Sequence, residues 1–508
     1  MPAIRKLKHM KRFLCLAAVV FAVSVGRAAE MPQQILPADG AVSVNIDTHL
    51  TLTFDAAPTV NRAGRIVVTE AASGRQVDVI DMSIPDGPVA SVSGPKAPYT
   101  PVPYDYTLKG SRATNANTVP GTPSGVAQPT SNTEYQLTII GGFSDGFHFR
   151  PVIVKGNTAV ISLHNNLLEY GKTYRVTVDA GIFGTPQSVT WSFSTKAKGP
   201  KGKRLVVDAS GAGDFSTVQG ALDHVPEGVR GYRIFIRNGD YEEIVYFRNK
   251  RGLILQGESR DGVDVHYANC EVFNPHPVNV STNEWPGSFP SRRAAFMVDH
   301  CTDVQLRDMT IRTTMFGQAE GLLINGERIL VDNVTVRGSG DALQANGLIY
   351  ISRSLIHGDG DNILGRGSVF FEDCTLTATG GPFMWIRNTE GHHGNVFVRC
   401  AFSTTSPMGQ AYLARLPKNG TPGYLFAEMV LIDCTLSNIR PEAVYQIEGD
   451  QTNMRFLEYN SVDAEGKKID VSARHEVMRQ LPADSELVKL YSTPSYVLDG
   501  WNPYKVKK

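Results

Sequence analysis

The chain has 508 residues, which is long for one compact domain, so its length favours two folded units or an elongated repeat architecture with an appended domain. It contains 50 basic and 50 acidic residues, and its formal net charge is therefore zero. A chain without excess positive charge lacks a general attraction for nucleic acid or for anionic membranes, and we predict neither as a partner.

The first 29 residues have the composition of an export signal. Basic residues precede the apolar run FLCLAAVVFAVSV, and the small residues Gly26, Ala28 and Ala29 follow it. The alternative is an uncleaved anchor, but the run is shorter than the roughly twenty residues that a membrane span needs. We predict a cleaved signal peptide at residues 1–29, a secreted or periplasmic protein, and no membrane span in the mature chain.

Residues 33–196 have the pattern of a small all-β unit. Segments with alternating apolar residues, such as HLTLTFD, TYRVTVD and SVTWSFSTK, recur between turns, which is typical of a β-sandwich. The segment from about residue 85 to about residue 133 is rich in proline, glycine, serine and threonine, which predicts a long surface insertion. The opening LPADGAVSVNIDTHLTLTFD and the closing YGKTYRVTVDAGIF resemble the bacterial immunoglobulin-like modules that are often attached to secreted enzymes.

A motif of the serine-hydrolase type, G-x-S-x-G, occurs in this unit at Gly142–Gly146. The nucleophile elbow of those enzymes requires a helix directly after the serine. Here the next residues are FHFRP, so we interpret the motif as a turn between strands.

A basic linker at residues 197–203 precedes a second unit at residues 204–508. Ser216 is predicted to cap a short helix. The apolar residues of that helix follow the i, i+3, i+4, i+7 spacing of one buried face: Val218, Ala221, Leu222 and Val225.

The rest of the second unit contains an irregular repeat of short strands. Six apolar runs, from VQLRDMTI to MVLIDCTL, can be superposed at separations of 25, 20, 20, 26 and 34 residues. One such strand cannot bury its apolar face, whereas stacked coils bury a continuous ladder, so the repeat predicts a parallel β-helix. The superposed positions are Met309, Val334, Ser354, Cys374, Cys400 and Cys434.

The cysteines do not suggest a disulfide scaffold or a metal site. Five would remain after signal cleavage, an odd number, and no pair has CxxC spacing. We predict that Cys374, Cys400 and Cys434 form an internal stack of buried thiols and that no metal is bound.

Three polar residues recur about one coil apart: Gln318 in FGQAEGLL, Asp341 in GSGDALQ and Asp361 in GDGDNILG, separated by 23 and 20 residues. Adjacent strands lie about 4.8 Å apart, so these residues are predicted to form a column on one face. Stacked carboxylates repel each other, which indicates a site whose two acids have different ionisation states.

From about Leu205 to the C-terminus the chain resembles the pectin methylesterase family. GDFSTVQGALDHVP, GQAEGLLINGERILVDNVTVRGSGDAL, IHGDGDNILG, AYLARLPK and DGWNP occur in the order of the family's motifs. The resemblance implies an all-β fold, a right-handed single-stranded parallel β-helix here preceded by the β-sandwich. It also implies hydrolysis of methyl esters of uronic acid residues in a pectin-like polysaccharide, without a cofactor, and we expect a monomer.

The resemblance also assigns roles to four residues. Asp361 matches the family's nucleophile, and Arg415 matches the arginine that pairs with it. Asp341 matches the general acid and base, and Gln318 matches one of two glutamines that stabilise the oxyanion. With Arg415 keeping Asp361 ionised, Asp341 could hold a proton beside it at neutral pH.

The chain departs from the family's pattern at positions that shape the pocket. Gly340 stands where the family has its second glutamine, and loss of one oxyanion donor typically costs about a hundredfold to a thousandfold in rate. We expect that Ser339 or a backbone N–H substitutes, or that the enzyme is slow or acts on another substrate. Pro417 replaces a tryptophan of the sugar subsite, and Gly360 and Asn362 replace apolar and aromatic residues.

Competing interpretations stay open. Asp341 and Asp361 could be ordinary turn residues, Gln318 an inter-coil hydrogen-bonding residue and Arg415 a surface arginine. Two other functions are compatible with the sequence: an esterase for a different acyl or methyl ester, and a noncatalytic glycan-binding β-helix. Four residues of FMWIRNTEGHH either line the groove or have ordinary structural roles: Trp385, Arg387, His392 and His393.

Overall fold

The computed structural model describes residues 31–87, 135–138, 140–141, 147–164, 168–274, 292–406, 409–418 and 424–506. The predicted signal peptide, nearly all of the predicted insertion and the motif at Gly142–Gly146 lie outside these residues. In the part of the chain that is described, no helix is both long enough and apolar enough to cross a membrane.

The N-terminal unit, residues 33–196, contains two β-sheets with the strand orders β1-β3-β9-β8 and β2-β11-β10-β4-β5, and a short pair β6-β7. Alternate side chains of both sheets, such as Leu52, Val68, Ile161 and Trp191, share one buried core, which makes a sandwich. Its kinship with immunoglobulin-like modules stays a prediction. The strands are β1 Gln34–Leu36, β2 Ala41–Val44, β3 Leu50–Thr53, β4 Arg65–Glu70, β5 Gln76–Asp81, β6 Leu137–Thr138, β7 Phe147–His148, β8 Val152–Lys155, β9 Thr158–Ile161, β10 Thr173–Val178 and β11 Val189–Thr195.

The second unit, called here the β-helix unit, is one continuous sheet of parallel strands wound into coils. It confirms the predicted right-handed parallel β-helix. The strands are β12 Arg204–Val207, β13 Arg233–Ile236, β14 Gly239–Glu242, β15 Val245–Arg248, β16 Ile254–Gly257, β17 Val263–Tyr267, β18 Phe296–Thr302, β19 Gln305–Thr313, β20 Leu322–Arg337, β21 Leu343–Ser352, β22 Leu355–Gly358, β23 Ile363–Leu364, β24 Ser368–Glu372, β25 Thr375–Ala378, β26 Met384–Trp385, β27 Asn395–Val398, β28 Ala401–Thr404, β29 Ala414–Leu416, β30 Glu428–Ile432, β31 Thr435–Ser437, β32 Val444–Ile447, β33 Arg455–Tyr459 and β34 Met478–Gln480. The helices are α1 Val218–His224, α2 Glu486–Tyr491, α3 Pro494–Val497 and a 3₁₀ turn at Pro503–Lys505.

The register of the β-helix confirms the predicted superposition of its strands. Met309 pairs with Val334. At the other steps, the residues directly after the superposed positions pair with one another in order: Thr335, Leu355, Thr375, Ala401 and Thr435. Each superposed position is therefore one coil above the last, whatever the length of the turns between them. Cys374, Cys400 and Cys434 are buried free thiols, as predicted.

One residue with a left-handed backbone recurs in each of the six superposed runs, directly before the superposed position. These residues have φ between 51° and 57°, in the left-handed region that asparagine and aspartate tolerate better than most residues. Because the same bend is repeated at the same place, each strand leaves its turn in the same direction as the strand below. The residues are Asp308, Asn333, Arg353, Asp373, Arg399 and Asp433.

Helix α1 closes one end of the β-helix, but its cap differs from the prediction. The N-cap is Thr217, whose hydroxyl accepts from the N–H of Gly220 at 2.9 Å, and not Ser216. The carboxylate of Asp47, from the N-terminal unit, accepts from the N–H groups of Ser216 at 2.9 Å and Thr217 at 2.8 Å. Ser216 uses its own hydroxyl to accept from Asn45 at 2.9 Å. The sequence prediction was wrong because Ser216 is bound by a donor, Asn45, and an acceptor, Asp47, that both come from the N-terminal unit.

A second contact ties the N-terminal unit to the β-helix unit. Asn274 Nδ2 donates to the carbonyl of His148 at 3.1 Å and to Oδ1 of Asn269 at 2.8 Å. Asn269 Nδ2 in turn donates to the carbonyl of Ala294 at 2.7 Å. The N-terminal unit is thus connected by hydrogen bonds to the segment that carries Arg293.

Candidate active site

Asp341 and Asp361 lie on adjacent coils of the β-helix. Asp341 lies between β20 and β21, and Asp361 lies between β22 and β23. The N–H of Asp341 donates to the carbonyl of Gly360 at 3.1 Å, and β21 pairs with β23 two residues further on, at Leu343 and Ile363. Because parallel neighbours are about 4.8 Å apart, the two carboxyl groups belong to one site.

Gln318 is displaced by one residue from the predicted column. It pairs with Gly340, which pairs with Gly360, so the glutamine is aligned with the residue before each aspartate. Gln318 and Asp341 therefore lie near each other but not in one line, and the prediction of a single column was wrong in this detail. The side chain of Gln318 is exposed to solvent, where it can reach a bound molecule.

The backbone of both aspartates is left-handed, with φ of 71° at Asp341 and 47° at Asp361. Such conformations often mark functional sites. Here they do not separate site residues from turn residues, since Asp373 and Asp433 have φ of 53° within ordinary coil turns. The side-chain partners distinguish the site residues from the turn residues instead.

Arg415 binds Asp361 with two nitrogens. Its Nε donates to Oδ1 at 2.9 Å and to Oδ2 at 3.1 Å, and its Nη2 also donates to Oδ2. The predicted contact is present, and the exposed fractions of the two side chains are 27% for the arginine and 15% for the aspartate. A bidentate guanidinium fixes the carboxylate in one orientation, and part of the carboxylate stays exposed to solvent.

Trp385 supports this pair from the preceding coil. It is in register with Arg415, and the guanidinium carbon lies 5.0 Å from the centre of the indole ring. Arg387 stacks on the same ring at 4.3 Å. A cation over an aromatic face is attracted to it and loses freedom of movement, which helps to hold Arg415 on Asp361.

Asp341 is the more buried of the two aspartates, with 9% of its side chain exposed. Burial raises its pKa, the arginines Arg293, Arg387 and Arg415 oppose that rise, and the charge of Asp361 adds to it. The net effect favours the protonated form of Asp341. The pair thus has one carboxyl group bound by a guanidinium and one whose raised pKa lets it carry a proton.

Ser339 is not free to replace the missing glutamine. Its hydroxyl donates to Oδ2 of Asp359 at 2.6 Å and accepts from the N–H of Gly317 at 3.2 Å. A serine has only one hydroxyl proton, and here that proton is used within the wall of the site. The expectation that Ser339 acts as a substitute oxyanion donor therefore fails in this arrangement.

The segment FMWIRNTEGHH divides into two parts. Trp385 and Arg387 lie at the site, as described above. His393 instead binds Glu428 through Nδ1 at 3.0 Å and packs on Tyr496, with ring centres 4.8 Å apart. His392 lies beside Ser368, away from the aspartates. His393 therefore holds the C-terminal helices on the β-helix.

An aromatic pair beside Arg415 was missed in the sequence analysis. The rings of Tyr412 and Tyr445 pack with centres 4.4 Å apart and planes tilted by 31°, and Arg440 covers Tyr412 at 5.2 Å. Tyr445 is in register with Arg415, one coil further on. Flat apolar rings suit the faces of sugar residues, and the only local signal was the tyrosine within AYLARLPK.

A group with metal-ligand chemistry occurs elsewhere, at Asp240, Asp264 and His266, whose ligand atoms lie within 4.8 Å of one another. Asp240 is already bound to Lys155 at 2.9 Å and to His266. Asp264 is bound to Arg312 at 2.7 Å. Because cations of the protein neutralise both carboxylates, these residues fit a surface ion-pair network better than a metal centre.

Comparison with known proteins shows the family of the chain. The Pectinesterase family model matches residues 204–497, more than half of the chain. The chain belongs to the Pectinesterase family. It is 28% identical over 244 residues to Pectinesterase QRT1 of Arabidopsis thaliana, covering 46% of this chain and 62% of the relative. It is 26% identical over 241 residues to a pectinesterase of Ralstonia nicotianae, covering 41% and 60%. The chain thus spans less than two thirds of the length of these relatives.

Solved pectin methylesterase structures are similar in outline. The enzyme from Aspergillus niger is 21% identical with a TM-score of 0.49, covering 61% of this chain and 97% of that one. The enzyme from carrot is 20% identical with a TM-score of 0.48, covering 60% and 95%. Family membership rests on the sequence match rather than on these scores.

As a member of the Pectinesterase family, the chain brings its motif residues into one place with two local differences. Gly340 leaves Gln318 without a glutamine beside it. The aromatic ring at Arg415 comes from Trp385 on the preceding coil, whereas Pro417 stands where the resemblance predicts a tryptophan. These differences alter the pocket and leave the pairing of Arg415 with Asp361 intact.

Proposed function

We propose that the protein hydrolyses methyl esters of uronic acid residues in a pectin-like polysaccharide. The observation that carries the proposal is the bidentate pairing of Arg415 with Asp361, one coil away from the buried Asp341. Two carboxyl groups with opposite environments suit a reaction that needs a nucleophile and a proton donor together. Family membership at residues 204–497 supports the same reaction.

In the first step, a carboxylate oxygen of Asp361 attacks the ester carbonyl carbon and forms a tetrahedral intermediate. The exposed amide of Gln318 donates a hydrogen bond to the oxyanion. When the carbon–oxygen bond to the methoxy group breaks, Asp341 gives its proton to the departing oxygen and methanol leaves. Asp361 is then joined to the uronic acid as an acid anhydride, and Asp341 is ionised.

In the second step, water replaces methanol. Asp341 takes one proton from the water as its oxygen adds to the acyl carbon, and the anhydride bond to Asp361 breaks. The second proton of the water stays on the new uronic acid carboxyl group, which releases it to solvent, and both aspartates return to their starting states. No step in this cycle uses a metal or an organic cofactor, so we propose that none is needed.

Two aromatic rings beside the site support a polysaccharide substrate. Tyr412 and Tyr445 present half-buried rings that pack on each other next to Arg415. Such rings can pack on the faces of sugar residues on either side of the reacting ester. We also propose that the protein is exported, since a segment with signal-peptide composition precedes residue 30, and that it acts as a monomer.

One observation favours a different ester as the second candidate. Gly340 has no side chain, and the nearest atom that a Cβ there would meet is the carbonyl oxygen of Gly317 at 3.2 Å. The oxyanion region is therefore wider and has one fewer donor than the family pattern. A pocket of that shape also suits an acetyl or another acyl ester.

The test is a substrate screen with the purified protein. Methyl-esterified polygalacturonate, acetylated pectin and small chromogenic esters are each incubated with it, and released methanol and acetate are measured. Methanol from the first substrate is the expected result. Acetate alone, or turnover only of small esters that is lost in Asp361→Ala, would support the second candidate. Retention on the polysaccharide without turnover, unchanged in Asp361→Asn, would overturn the esterase and indicate a glycan-binding protein.

A further inference from the structure

Behind Asp341 lies a second group of charges that the reaction described above does not use. Arg293, on the segment before β18, donates to Oε1 of Glu320 from Nε at 2.7 Å and contacts the same oxygen with Nη2 at 2.6 Å. Its Nη2 also lies 3.4 Å from Oδ2 of Asp341, and its Nη1 lies 3.4 Å from Glu271. One guanidinium is therefore shared among three carboxyl groups.

Glu320 is buried in an unusual way for a charged residue. None of its side chain is exposed, and its Oε2 has no hydrogen-bond partner among the described residues. Burying a carboxylate with an unused oxygen is costly, so a residue in this position needs a strong compensating interaction. That interaction is the ion pair with Arg293.

The distances show how the guanidinium divides its charge. Nη2 is in hydrogen-bond contact with Glu320 at 2.6 Å, whereas it is 0.8 Å further from Asp341, at 3.4 Å. Electrostatic attraction falls with distance, and a charge already neutralised by one carboxylate attracts a second one less. Glu320 therefore offsets most of the positive charge of Arg293, and less of that charge acts on Asp341.

We propose that Glu320 is a positioning residue for the reaction. It holds Arg293 so that the guanidinium stays near Asp341 without forming a close hydrogen bond to it. Asp341 then remains able to carry the proton that the departing alcohol needs. Once that proton has left, Arg293 is close enough to stabilise the new carboxylate. This inference rests on the proposed function, because it assigns a purpose to the proton on Asp341.

The charges around Asp341 and Glu320 each raise or lower the pKa of these two acids. Asp341 is surrounded by Arg293, Arg387 and Arg415, which favour its ionised form, and by Asp361, which disfavours it. Burial raises the pKa of Glu320 to about 7, with Arg293 opposing the rise and Asp341 adding to it. The two acids are thus linked through one arginine, and a change at Glu320 reaches Asp341 without any contact with substrate.

The test is the pH profile of kcat in Glu320→Gln. The amide keeps an oxygen that can accept from Arg293 but removes the negative charge. The guanidinium is then free to stabilise ionised Asp341, so the fall of kcat at alkaline pH should move to lower pH by about one unit. In the double variant Arg293→Leu/Glu320→Val, which removes both charges, the fall should move back toward its original position or above it.

Glu458→Gln is the matched control. Glu458 is also fully buried and is bound by Arg474, with Nε and Nη2 both at 2.9 Å, but on a distant coil. It should lower stability in urea unfolding without moving the pH profile. If Glu320→Gln and Glu458→Gln behave alike, with less stability and an unchanged alkaline limb, Glu320 has only a structural role and the proposal is overturned.

A measurement without turnover separates this proposal from the proposed function. Carboxyl-labelled aspartate is followed by ¹³C NMR against pH, and the Asp341 signal is assigned with Asp341→Asn. The Asp341 titration should shift to lower pH in Glu320→Gln even if no ester is a substrate. An unshifted titration would overturn the positioning role, whereas a shift in a protein that releases no alcohol or acid would overturn only the esterase assignment.

Discussion

Gln318 faces Gly340 across the parallel ladder, so the exposed amide of the candidate oxyanion site has a residue without a side chain as its neighbour. Ser339 cannot fill the gap, because its proton is donated to Asp359. The site therefore offers one side-chain donor where the family pattern has two. Reaction rate and substrate preference should both depend on this position.

Gly340→Gln should raise kcat on methyl-esterified polygalacturonate. The new amide would lie beside Gln318 and add a second donor to the oxyanion, and one such donor is typically worth about a hundredfold. A Cβ at Gly340 would lie 3.2 Å from the carbonyl oxygen of Gly317, so a small shift is needed and the gain should be nearer tenfold. Initial rates of methanol release measure it.

Gly340→Ala is the control for that shift, since it adds the Cβ without the amide. It should leave kcat within about twofold of the parent or lower it slightly. Equal rates for the glutamine and alanine variants, at unchanged stability, would mean that the oxyanion is stabilised elsewhere.

Arg415→Lys should lower kcat by about tenfold to a hundredfold while the protein stays folded. Lysine keeps the positive charge but loses the two-nitrogen grip on Asp361 and the planar contact with Trp385. Arg399→Lys is a matched control, because Arg399 binds Asp373 through Nε at 2.8 Å at the turn between β27 and β28, whereas Arg415 lies on β29. A full rate in Arg415→Lys would show that orientation of Asp361 does not limit the reaction.

Asp47→Ala should destabilise the junction of the two units by about 1–2 kcal/mol, a value typical of a lost helix cap. The carboxylate accepts three hydrogen bonds at the start of α1: one from the N–H of Ser216, one from the N–H of Thr217 and one from the hydroxyl of Thr217. Urea unfolding measures the change. Asp86→Ala, which removes an exposed ion pair with Arg62, should have almost no effect. If the two variants have equal stability, the units are joined by other contacts.

Glu320 should make the protein less stable as the pH rises. Its pKa is about 7 in the folded state, where burial favours the protonated acid, against an ordinary value of 4.5. A group with a raised folded pKa contributes its full stability below the unfolded pKa and loses it as the pH rises through the folded pKa. The loss between pH 5 and 8 is on the order of a few kcal/mol. The difference in unfolding free energy between these two pH values should shrink in Glu320→Gln, and an unchanged difference would assign it to other groups.

The coils were predictable from the sequence, whereas contacts between distant segments were not. Met309, Val334 and Cys374 could be superposed because alternating apolar residues return once per coil, and the register agrees. Capping of α1 was misassigned because Asp47 is 169 residues from Ser216 in the chain. No local sequence pattern indicates a partner so distant in the chain.

The site was predictable only where the motif itself carries the information. The pairing of Asp361 with Arg415 followed from the motif order and is present. The alignment of Gln318 was wrong by one residue because spacing fixes which coil a residue occupies but not its register within it. Arg293 and Glu320, 27 residues apart, become partners only when the coils stack, so spacing alone gave no reason to pair them.

The central claim is that Asp361, held by Arg415, attacks the ester. Its most direct test is methanol release from methyl-esterified polygalacturonate by Asp361→Asn, measured beside the parent protein and Asp373→Asn. Asp373 shares the left-handed backbone and an arginine partner but lies outside the site. We predict a fall of at least about a thousandfold for Asp361→Asn and a change within about twofold for Asp373→Asn. A folded Asp361→Asn protein that keeps a tenth or more of the parent rate would contradict the account.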